Sequence, residues 1–323
     1  MCTAVSFTTA DHYFGRTLDL SYSYGETVTI TPRHYPFHFR RMGTNDSHYA
    51  IIGMAIVRDG YPLYYDAANE KGLAIAGLNF PGNAVHFPET EGKDNISPFE
   101  LIPWILGQCA TLAEARQRLE RIHLVNIPFS DEMPLAPLHW MIADATGAIT
   151  LEQTADGLKI YDNPTGVMAN NPPFDYQMFN LNNYMNLTSE PPVNRFCPDL
   201  PLRPYCLGMG GIGLPGDLSS TSRFVRVAFT RLNSVCGCSE SESVSQFFHI
   251  LGSVHQTRGC AKTEDGYEIT VYTSCCNTSK GIYYYTTYEN QQITAVELSH
   301  ENLDGNAVIV YPLITDTQIR RQN

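Results

Sequence analysis

The sequence has few basic residues and no cluster of them. Lysine and arginine number 21 against 33 aspartates and glutamates, which gives the 323 residues a formal net charge of −12. Without a basic block, the chain lacks the electrostatic surface that nucleic acids and anionic membranes recognise. We therefore expect neither as a partner, and an anionic substrate would have to be held by individual arginines.

Long apolar stretches are missing too. No run approaches the roughly 18 apolar residues that cross a bilayer, and the first residues lack the basic stretch and apolar core of a secretory signal. We therefore expect a cytoplasmic protein with no membrane partner. Because 43% of the residues are hydrophobic, the chain can still bury a large core. No break in composition divides it, so we expect a single domain over residues 2–323.

Cysteine pairs with metal-binding spacing are also absent. Cys236-Gly-Cys238 and Cys275-Cys276 lack the CxxC spacing of a zinc site, so we expect reduced thiols and no metal. Cys2 stands apart from the other cysteines, because trimming of Met1 would leave a thiol and an α-amine on one residue. A thiolate is a nucleophile, and an α-amine titrating near ~7.7 can act as its base.

Short apolar, β-branched runs dominate both ends of the chain and alternate with helical patterns. The strands predicted from these runs are 4–7, 13–16, 27–31, 50–57, 73–78, 139–143, 149–153, 158–161, 267–274, 281–288, 292–297 and 308–311. One predicted helix begins at 98, and three more cover 115–122, 217–235 and 243–251. Consecutive strands joined by tight turns are antiparallel, which favours two antiparallel sheets covered by helices over a doubly wound parallel sheet.

Residues 186–217 are the exception to this regular pattern. They are rich in proline, glycine and cysteine and show little periodicity. Irregular stretches of this length are uncommon inside compact domains and are usually functional. Their apolar content favours packing against another subunit.

Several polar residues permit either a structural or a chemical role. Arg16 and Asp19 could form a surface ion pair of little worth, or they could flank a nucleophile. Asn79 and Asn170 stand at strand ends before prolines, where asparagine commonly forms turns but can also stabilise an oxyanion. Arg223 opens a predicted helix and could face either the core or a site.

The combination of these segments with Cys2 resembles the choloylglycine hydrolase family, which comprises bile salt hydrolases and penicillin V acylases. The resemblance covers essentially the whole chain, in order and approximate spacing. The segments that carry it are Met1-Cys2-Thr3, Gly15-Arg16-Thr17-Leu18-Asp19, Asn69-Glu70-Lys71-Gly72-Leu73, Asn79-Phe80-Pro81, Asn170-Asn171-Pro172, Gly213-Leu214-Pro215-Gly216-Asp217 and Ser222-Arg223-Phe224.

The resemblance implies an α+β fold, the four-layer αββα arrangement of N-terminal nucleophile hydrolases, in which two stacked antiparallel sheets are flanked by helices. It also implies amide hydrolysis without a cofactor. Cys2 would be both nucleophile and base, and Asp19 would orient its amine and thiol. The remaining implied catalytic roles are thiolate stabilisation by Arg16 and Arg223, and oxyanion binding by the Asn79 main-chain N–H and the Asn170 carboxamide. Of the neighbours Asn170 and Asn171, the first matches the family better.

The same resemblance implies a conjugated bile salt as substrate and a homotetramer assembled through an extension at about residues 186–217. A steroid needs a large apolar wall, for which the candidates are Leu18, Tyr24, Tyr65, Phe129 and Leu135. Each of them could equally be ordinary core. A penicillin V acylase, and a catalytically inactive relative that serves as a binding or structural protein, remain the alternatives.

Overall fold

A computed structural model describes residues 1–323. The α-helices are α1 Leu101–Leu106, α2 Leu112–Leu119, α3 Phe174–Asn180, α4 Ser220–Asn233 and α5 Glu240–Gly252. The strands are β1 Cys2–Thr8, β2 His12–Leu20, β3 Thr27–Thr31, β4 Phe37–Phe39, β5 Gly43–Asn45, β6 Ile51–Arg58, β7 Tyr61–Asn69, β8 Ala74–Asn79, β9 Asp94–Ile96, β10 Ile122–Leu124, β11 Leu138–Asp144, β12 Gly147–Thr154, β13 Gly157–Asp162, β14 Val167–Met168, β15 Lys262–Thr263, β16 Gly266–Tyr267, β17 Ile269–Asn277, β18 Ile282–Thr287, β19 Thr294–Glu297 and β20 Ile309–Pro312.

Two large sheets organise the molecule. The first has six strands in the order β14-β1-β2-β17-β18-β19, and the second has eight in the order β13-β12-β11-β8-β7-β6-β3-β20. Neighbouring strands within both sheets are antiparallel. The N-terminal strand therefore lies inside the first sheet, between β14 and β2, and this fixes the position of residue 2.

Three apolar clusters separate four layers. The middle cluster lies between the sheets and includes Cys2, Leu18 and Met141. A second cluster joins α4 and α5 to the outer face of the first sheet, and a third joins α1 and α2 to the outer face of the second. The predicted four-layer αββα arrangement is thus confirmed.

The helix ends follow local capping chemistry. Thr111 caps α2 by accepting a hydrogen bond from the Glu114 N–H, and Ser239 forms a capping box at the start of α5. Ser219 caps α4, so this helix begins at Ser220, three residues later than the sequence pattern predicts. This start places Arg223 in the first turn of α4, next to the beginning of β1.

Gly15 permits the close approach of two strands next to Arg16. A Cβ at this position would lie 2.1 Å from the carbonyl oxygen of Ser274 on β17. Only glycine therefore fits here, and the tight contact between β2 and β17 fixes the backbone that carries the following residues.

Most predicted strands and helices are present within a few residues, but several elements were missed. The largest is the nine-residue strand β7, which contains Pro62, Asp66 and Asn69 and does not alternate cleanly between apolar and polar residues. The hairpin β4–β5 and helix α3 were also missed. Residues 186–217 contain no strand and only a short 3-10 turn at Met209–Gly211. No helix has the length and apolar character needed to cross a membrane.

Candidate active site

Cys2 begins β1 and is almost fully buried, with 2% of its surface exposed. It pairs with Leu18 across the β1–β2 ladder, and both side chains lie in the core between the sheets. Side chains alternate faces along a strand, so Arg16 shares this inner face, whereas Thr17 and Asp19 face outward. Arg16 thus lies near the Cys2 thiol on the inner face of the first sheet. Asp19 lies near the start of the chain on the outer face.

Arg16 is a buried cation that crosses from the first sheet to the second. Its guanidinium donates to the carbonyl oxygens of Gly77 at 2.5 Å and Tyr65 at 3.4 Å, and through Nε to Thr17 at 3.1 Å. Burial by itself lowers its pKa, but the negative charges that Cys2, Tyr272, Asp66 and Asp19 can carry outweigh burial and raise it. Arg16 therefore stays positively charged beside the sulfur.

Asp19 is held by two hydroxyl groups on the outer face of the first sheet. Its carboxylate accepts from Thr270 Oγ1 at 2.7 Å and Thr17 Oγ1 at 3.1 Å. Burial raises its pKa, and the positive charges of Arg223 and the N-terminal ammonium oppose that rise. The carboxylate therefore lies in a site with two cations, although its own hydrogen bonds go to threonines and none goes to Cys2.

Met1 extends the ladder by one residue. The Asp19 N–H donates to the Met1 carbonyl at 2.8 Å, and the Met1 ammonium donates to the Asp19 carbonyl at 2.6 Å. The same ammonium forms an ion pair with Glu268. With Met1 present, the nitrogen of Cys2 is a peptide N–H.

Arg223 and Asn170 contact Cys2 directly. Arg223 Nη1 donates to the Cys2 carbonyl at 2.6 Å and also to Thr3 Oγ1, while its Nη2 donates to Asn170 Oδ1 at 2.7 Å. Asn170 Oδ1 accepts the Cys2 N–H at 2.7 Å as well. Burial lowers the pKa of Arg223, and the negative charges of Asp19 and Cys2 oppose that shift.

Asn79 is joined to this group through its main chain. Asn170 Nδ2 donates one of its two hydrogens to the Asn79 carbonyl at 2.7 Å, which leaves the second hydrogen for another acceptor. Phe80, the next residue, is fully buried and stacks on His139 with a centroid distance of 4.2 Å. This stacking fixes the end of β8 beside Cys2, although the Asn79 side chain itself is exposed.

The five predicted pocket residues have different immediate neighbours. Leu18 and Tyr65 pack in the same intersheet core as Cys2. Tyr24 is exposed, and its hydroxyl lies 3.0 Å from that of Tyr22. Phe129 packs against Phe99 at a ring distance of 5.3 Å, and Leu135 follows it in the half-buried segment before β11. Two of the five therefore share the core that contains Cys2, and the place of the other three in a common pocket stays a prediction.

Several residues that support the site were missed by sequence reasoning. Thr17 and Thr270 hold Asp19, and Ser220 Oγ accepts the main-chain N–H of Asn170 at 2.8 Å. Asp66 is buried in β7 close to Arg16. Thr17 was inside a recognised motif, but the others carry no signal in one sequence, because their roles depend on strand pairing and sheet stacking.

Open cavities elsewhere have no evident link to this chemistry. One of about 870 Å³ is lined by residues including Arg33, Lys71 and Trp104, and another of about 960 Å³ lies within residues 185–212. Cys2 lines neither. No group of three or more histidine, cysteine, aspartate or glutamate side chains is placed to hold a metal ion.

Comparison with known proteins gives matches along nearly the whole chain. Residues 2–311 match the family described as linear amide C–N hydrolases, choloylglycine hydrolase family. A bile salt hydrolase/transferase of Lactiplantibacillus plantarum is 56% identical, with 98% of each chain covered. One of Clostridium perfringens is 40% identical, with 96% of each covered.

Solved structures agree with the sequence matches. A variant of conjugated bile acid hydrolase from Clostridium perfringens superimposes with a TM-score of 0.92, 37% identity and 100% coverage of both chains. Penicillin V acylase from Agrobacterium tumefaciens gives a TM-score of 0.73 at 20% identity, covering 95% of this chain and 90% of its own, and at that identity it supports the fold alone. With a buried cysteine at position 2, the four-layer fold and these matches, the chain belongs to the choloylglycine hydrolase family and is a hydrolase of linear amide C–N bonds.

Proposed function

We propose that the protein is a bile salt hydrolase that cleaves the amide bond between a bile acid and its glycine or taurine conjugate. The observation that carries this proposal is the 56% identity, over 98% of both chains, with a protein named bile salt hydrolase/transferase. The site supports it chemically, because Cys2 is buried among two arginines, one carboxylate and the Asn79–Asn170 pair.

In the proposed mechanism, Met1 is removed first and the α-amine of Cys2 becomes free. The Cys2 thiol gives its proton to this amine, and the thiolate attacks the carbonyl carbon of the substrate. Arg16 and Arg223 favour the thiolate, and Asp19 stabilises the α-ammonium. The Asn170 carboxamide and the Asn79 N–H bind the oxyanion, and each such donor is typically worth ~3 kcal/mol.

The tetrahedral intermediate then collapses. The C–N bond breaks, the α-ammonium protonates the departing glycine or taurine amine, and a thioester joins the bile acid to Cys2. The α-amine next takes a proton from water, which attacks the thioester carbonyl. The carbon–sulfur bond breaks, the bile acid leaves, and the released thiolate takes the proton back from the α-ammonium, which restores the thiol and the free amine. No step needs a metal or a cofactor.

Recognition of the steroid is proposed for an apolar wall built from Leu18, Tyr24, Tyr65, Phe129 and Leu135. Leu18 and Tyr65 have the firmest support because they pack in the same core as Cys2. Tyr24, Phe129 and Leu135 are proposed for this wall from the family resemblance.

We also propose assembly into a homotetramer through residues 186–217, within a single domain covering 2–323. Large apolar side chains in this segment are almost fully exposed, including Phe196 at 84% and Leu207 at 93%. Exposed apolar area of this kind marks contact surfaces. A cytoplasmic location is proposed from the nine free thiols, which suit a reducing compartment.

A hydrolysis panel tests the proposed function. The mature enzyme is incubated separately with glycocholate, taurocholate and penicillin V, and the release of free amine or of the β-lactam nucleus is measured. We expect the two bile salts to be cleaved and penicillin V to be cleaved more slowly. Exclusive cleavage of penicillin V would replace this proposal with the acylase alternative.

A Cys2→Ser variant tests the nucleophile in the same assay. The hydroxyl has no accessible anion near neutral pH, so turnover should vanish while the thermal transition stays near that of the parent. Intact mass should show that Met1 is absent from the active enzyme and that iodoacetamide adds to Cys2. Comparable turnover by Cys2→Ser, or full activity with Met1 retained, would contradict the mechanism.

A further inference from the structure

Asp66 is a carboxylate buried between the two sheets that the proposed mechanism does not use. It lies on β7 of the second sheet with 2% of its surface exposed. Its Oδ1 accepts from Tyr272 Oη at 2.6 Å, and its Oδ2 accepts from Tyr283 Oη at 2.7 Å and Ser274 Oγ at 2.9 Å. All three donors belong to the first sheet, so the carboxylate bridges the sandwich.

The cation that faces this carboxylate is Arg16. Its main-chain N–H donates to Ser274 Oγ at 3.0 Å, and Ser274 donates in turn to Asp66. Its guanidinium enters the second sheet at the carbonyl of Tyr65, the residue before Asp66. Burial raises the pKa of Asp66, and the charge of Arg16 is the leading influence that opposes this.

The phenols around the carboxylate do not carry charge themselves. Burial raises the pKa of Tyr272 and of Tyr283 well above the usual range, and that of the neighbouring Cys276 thiol is also raised. These groups therefore stay neutral, and the two tyrosines act as hydrogen-bond donors. A buried carboxylate needs a compensating charge as well as donors, and Arg16 provides it.

We propose that Asp66 is a positioning residue for Arg16, which shares its charge between this internal carboxylate and the thiolate formed at Cys2. The proposal rests on the proposed function only in taking Cys2 as the nucleophile. The other charged groups near Cys2 are Asp19 on β2, Arg223 on α4 and Glu268 before β17.

The consequence concerns the reactivity of the thiolate. If Asp66 were neutral, one anion fewer would offset the positive charge of Arg16, and Arg16 would stabilise the thiolate more strongly. Ionisation would become easier, but a more stabilised thiolate is a weaker nucleophile, with a Brønsted coefficient of about 0.4–0.5. Asp66 thus allows Arg16 to favour ionisation without making the sulfur unreactive.

The test is the pH dependence of Cys2 alkylation by iodoacetamide in the mature enzyme, followed by mass spectrometry. In Asp66→Asn we expect the half-maximal rate at a pH about one unit below that of the parent. The plateau rate at high pH should fall about threefold for that shift. A residue that only supports the fold would leave the midpoint in place.

Tyr283→Phe is the matched control, because it removes one hydrogen bond to Asp66 and keeps the charge. Its midpoint should stay within about 0.3 units of the parent. An unshifted midpoint in Asp66→Asn, or the same downward shift in both variants, would overturn the proposal.

A stability measurement covers the case in which Asp66→Asn folds poorly. In an Arg16→Leu background, Asp66 would be a buried carboxylate without its cation, so adding Asp66→Asn should raise the Tm. In the parent background the same change should lower it. An equal decrease in both backgrounds would show that Asp66 serves only its tyrosine partners and would contradict the proposal.

These outcomes are separate from those of the proposed function. Alkylation requires no bile salt, so the midpoint shift stands even if the hydrolysis panel identifies a different amide substrate. Conversely, cleavage of bile salts together with an unshifted midpoint would leave the proposed function intact and remove the role of Asp66.

Discussion

Two adjacent asparagines have very different surroundings. Asn170 contacts the Cys2 N–H, Arg223 and the Asn79 carbonyl. Asn171 turns away and donates to the carbonyl of Pro81. Consecutive side chains thus point in different directions: that of Asn170 lies beside Cys2, and that of Asn171 binds the loop at Pro81.

Replacement of Asn170 by alanine should lower kcat about 100- to 1000-fold, because an oxyanion donor is lost. KM should change little, since that donor acts mainly in the transition state. Steady-state hydrolysis of the preferred bile salt measures both constants. Asn171→Ala is the matched control, and we expect a decrease in kcat of less than about tenfold. If the two variants show the reverse order, the oxyanion role belongs to Asn171.

Among single residues, the sequence indicated those that belong to a recognisable motif. Cys2, Arg16 and Asp19 could be found from a short stretch at the chain start, and Arg223 from its motif. Thr270 and Asp66 could not, because a threonine or an aspartate inside a strand shows its role only when its partner strand is known.

The hairpin of β1 and β2 is the element whose two strands carry Cys2, Arg16 and Asp19. The His12 ring binds two hydroxyl groups beside the turn that joins the two strands. Its Nε2 lies 2.9 Å from Ser6 Oγ, and its Nδ1 lies 2.7 Å from Thr278 Oγ1. Burial lowers the pKa of His12 from 6.5 to about 4. The ring is therefore neutral in the folded protein at neutral pH.

Acid should weaken the fold through this histidine. Because the folded pKa lies below the unfolded one, the unfolded chain binds the proton first as pH falls from about 6.5 towards 4. Stability is complete above this window and falls through it, by up to about 3 kcal/mol. Urea unfolding of the parent and of His12→Asn at several pH values measures the effect. The free energy of unfolding of the variant should fall less steeply as the pH decreases, by a slope equivalent to about one proton. Identical pH slopes for the parent and the variant would contradict this assignment.

Strands were predictable where apolar and polar residues follow a simple pattern, as in β1, β6 and β11. β7 was not, because Pro62 and Asp66 interrupt its apolar pattern and yet are accommodated by burial on both faces. Its Asp66 is tolerated there because the opposite sheet supplies three hydroxyl donors and the charge of Arg16. Tertiary contacts thus override the local preference of this strand.

Residues 186–217 form a surface that the fold of the molecule leaves uncovered. Residues 186–217 expose Phe196, Tyr205 and Leu207 almost completely. The sequence predicts an irregular segment here whose apolar content favours packing against another subunit, but it does not show which side chains are exposed, because a contact between copies leaves no periodic signal in one chain. Its assembly role therefore remains the proposal made above.

Phe196→Asp combined with Leu207→Asp should reduce the proposed tetramer to smaller species, since charges would replace apolar contact area. Sedimentation velocity measures the change. Ile319→Asp is the control, because Ile319 is 76% exposed outside this segment, and it should leave the sedimentation coefficient unchanged. A parent protein that sediments as a monomer, or a double variant that sediments like the parent tetramer, would rule out assembly through these side chains.

The residue ahead of Cys2 affects when it could be removed. Met1 forms main-chain hydrogen bonds with Asp19 in both directions, and its ammonium is paired with Glu268. An exopeptidase must bind a free, extended terminus, whereas in the folded chain Met1 is hydrogen-bonded to β2. The proposed mechanism requires a free Cys2 amine, so trimming would be easiest while the nascent chain is still unpaired. Folding and trimming would then compete in time, and a chain that folds first would keep Met1 and stay inactive.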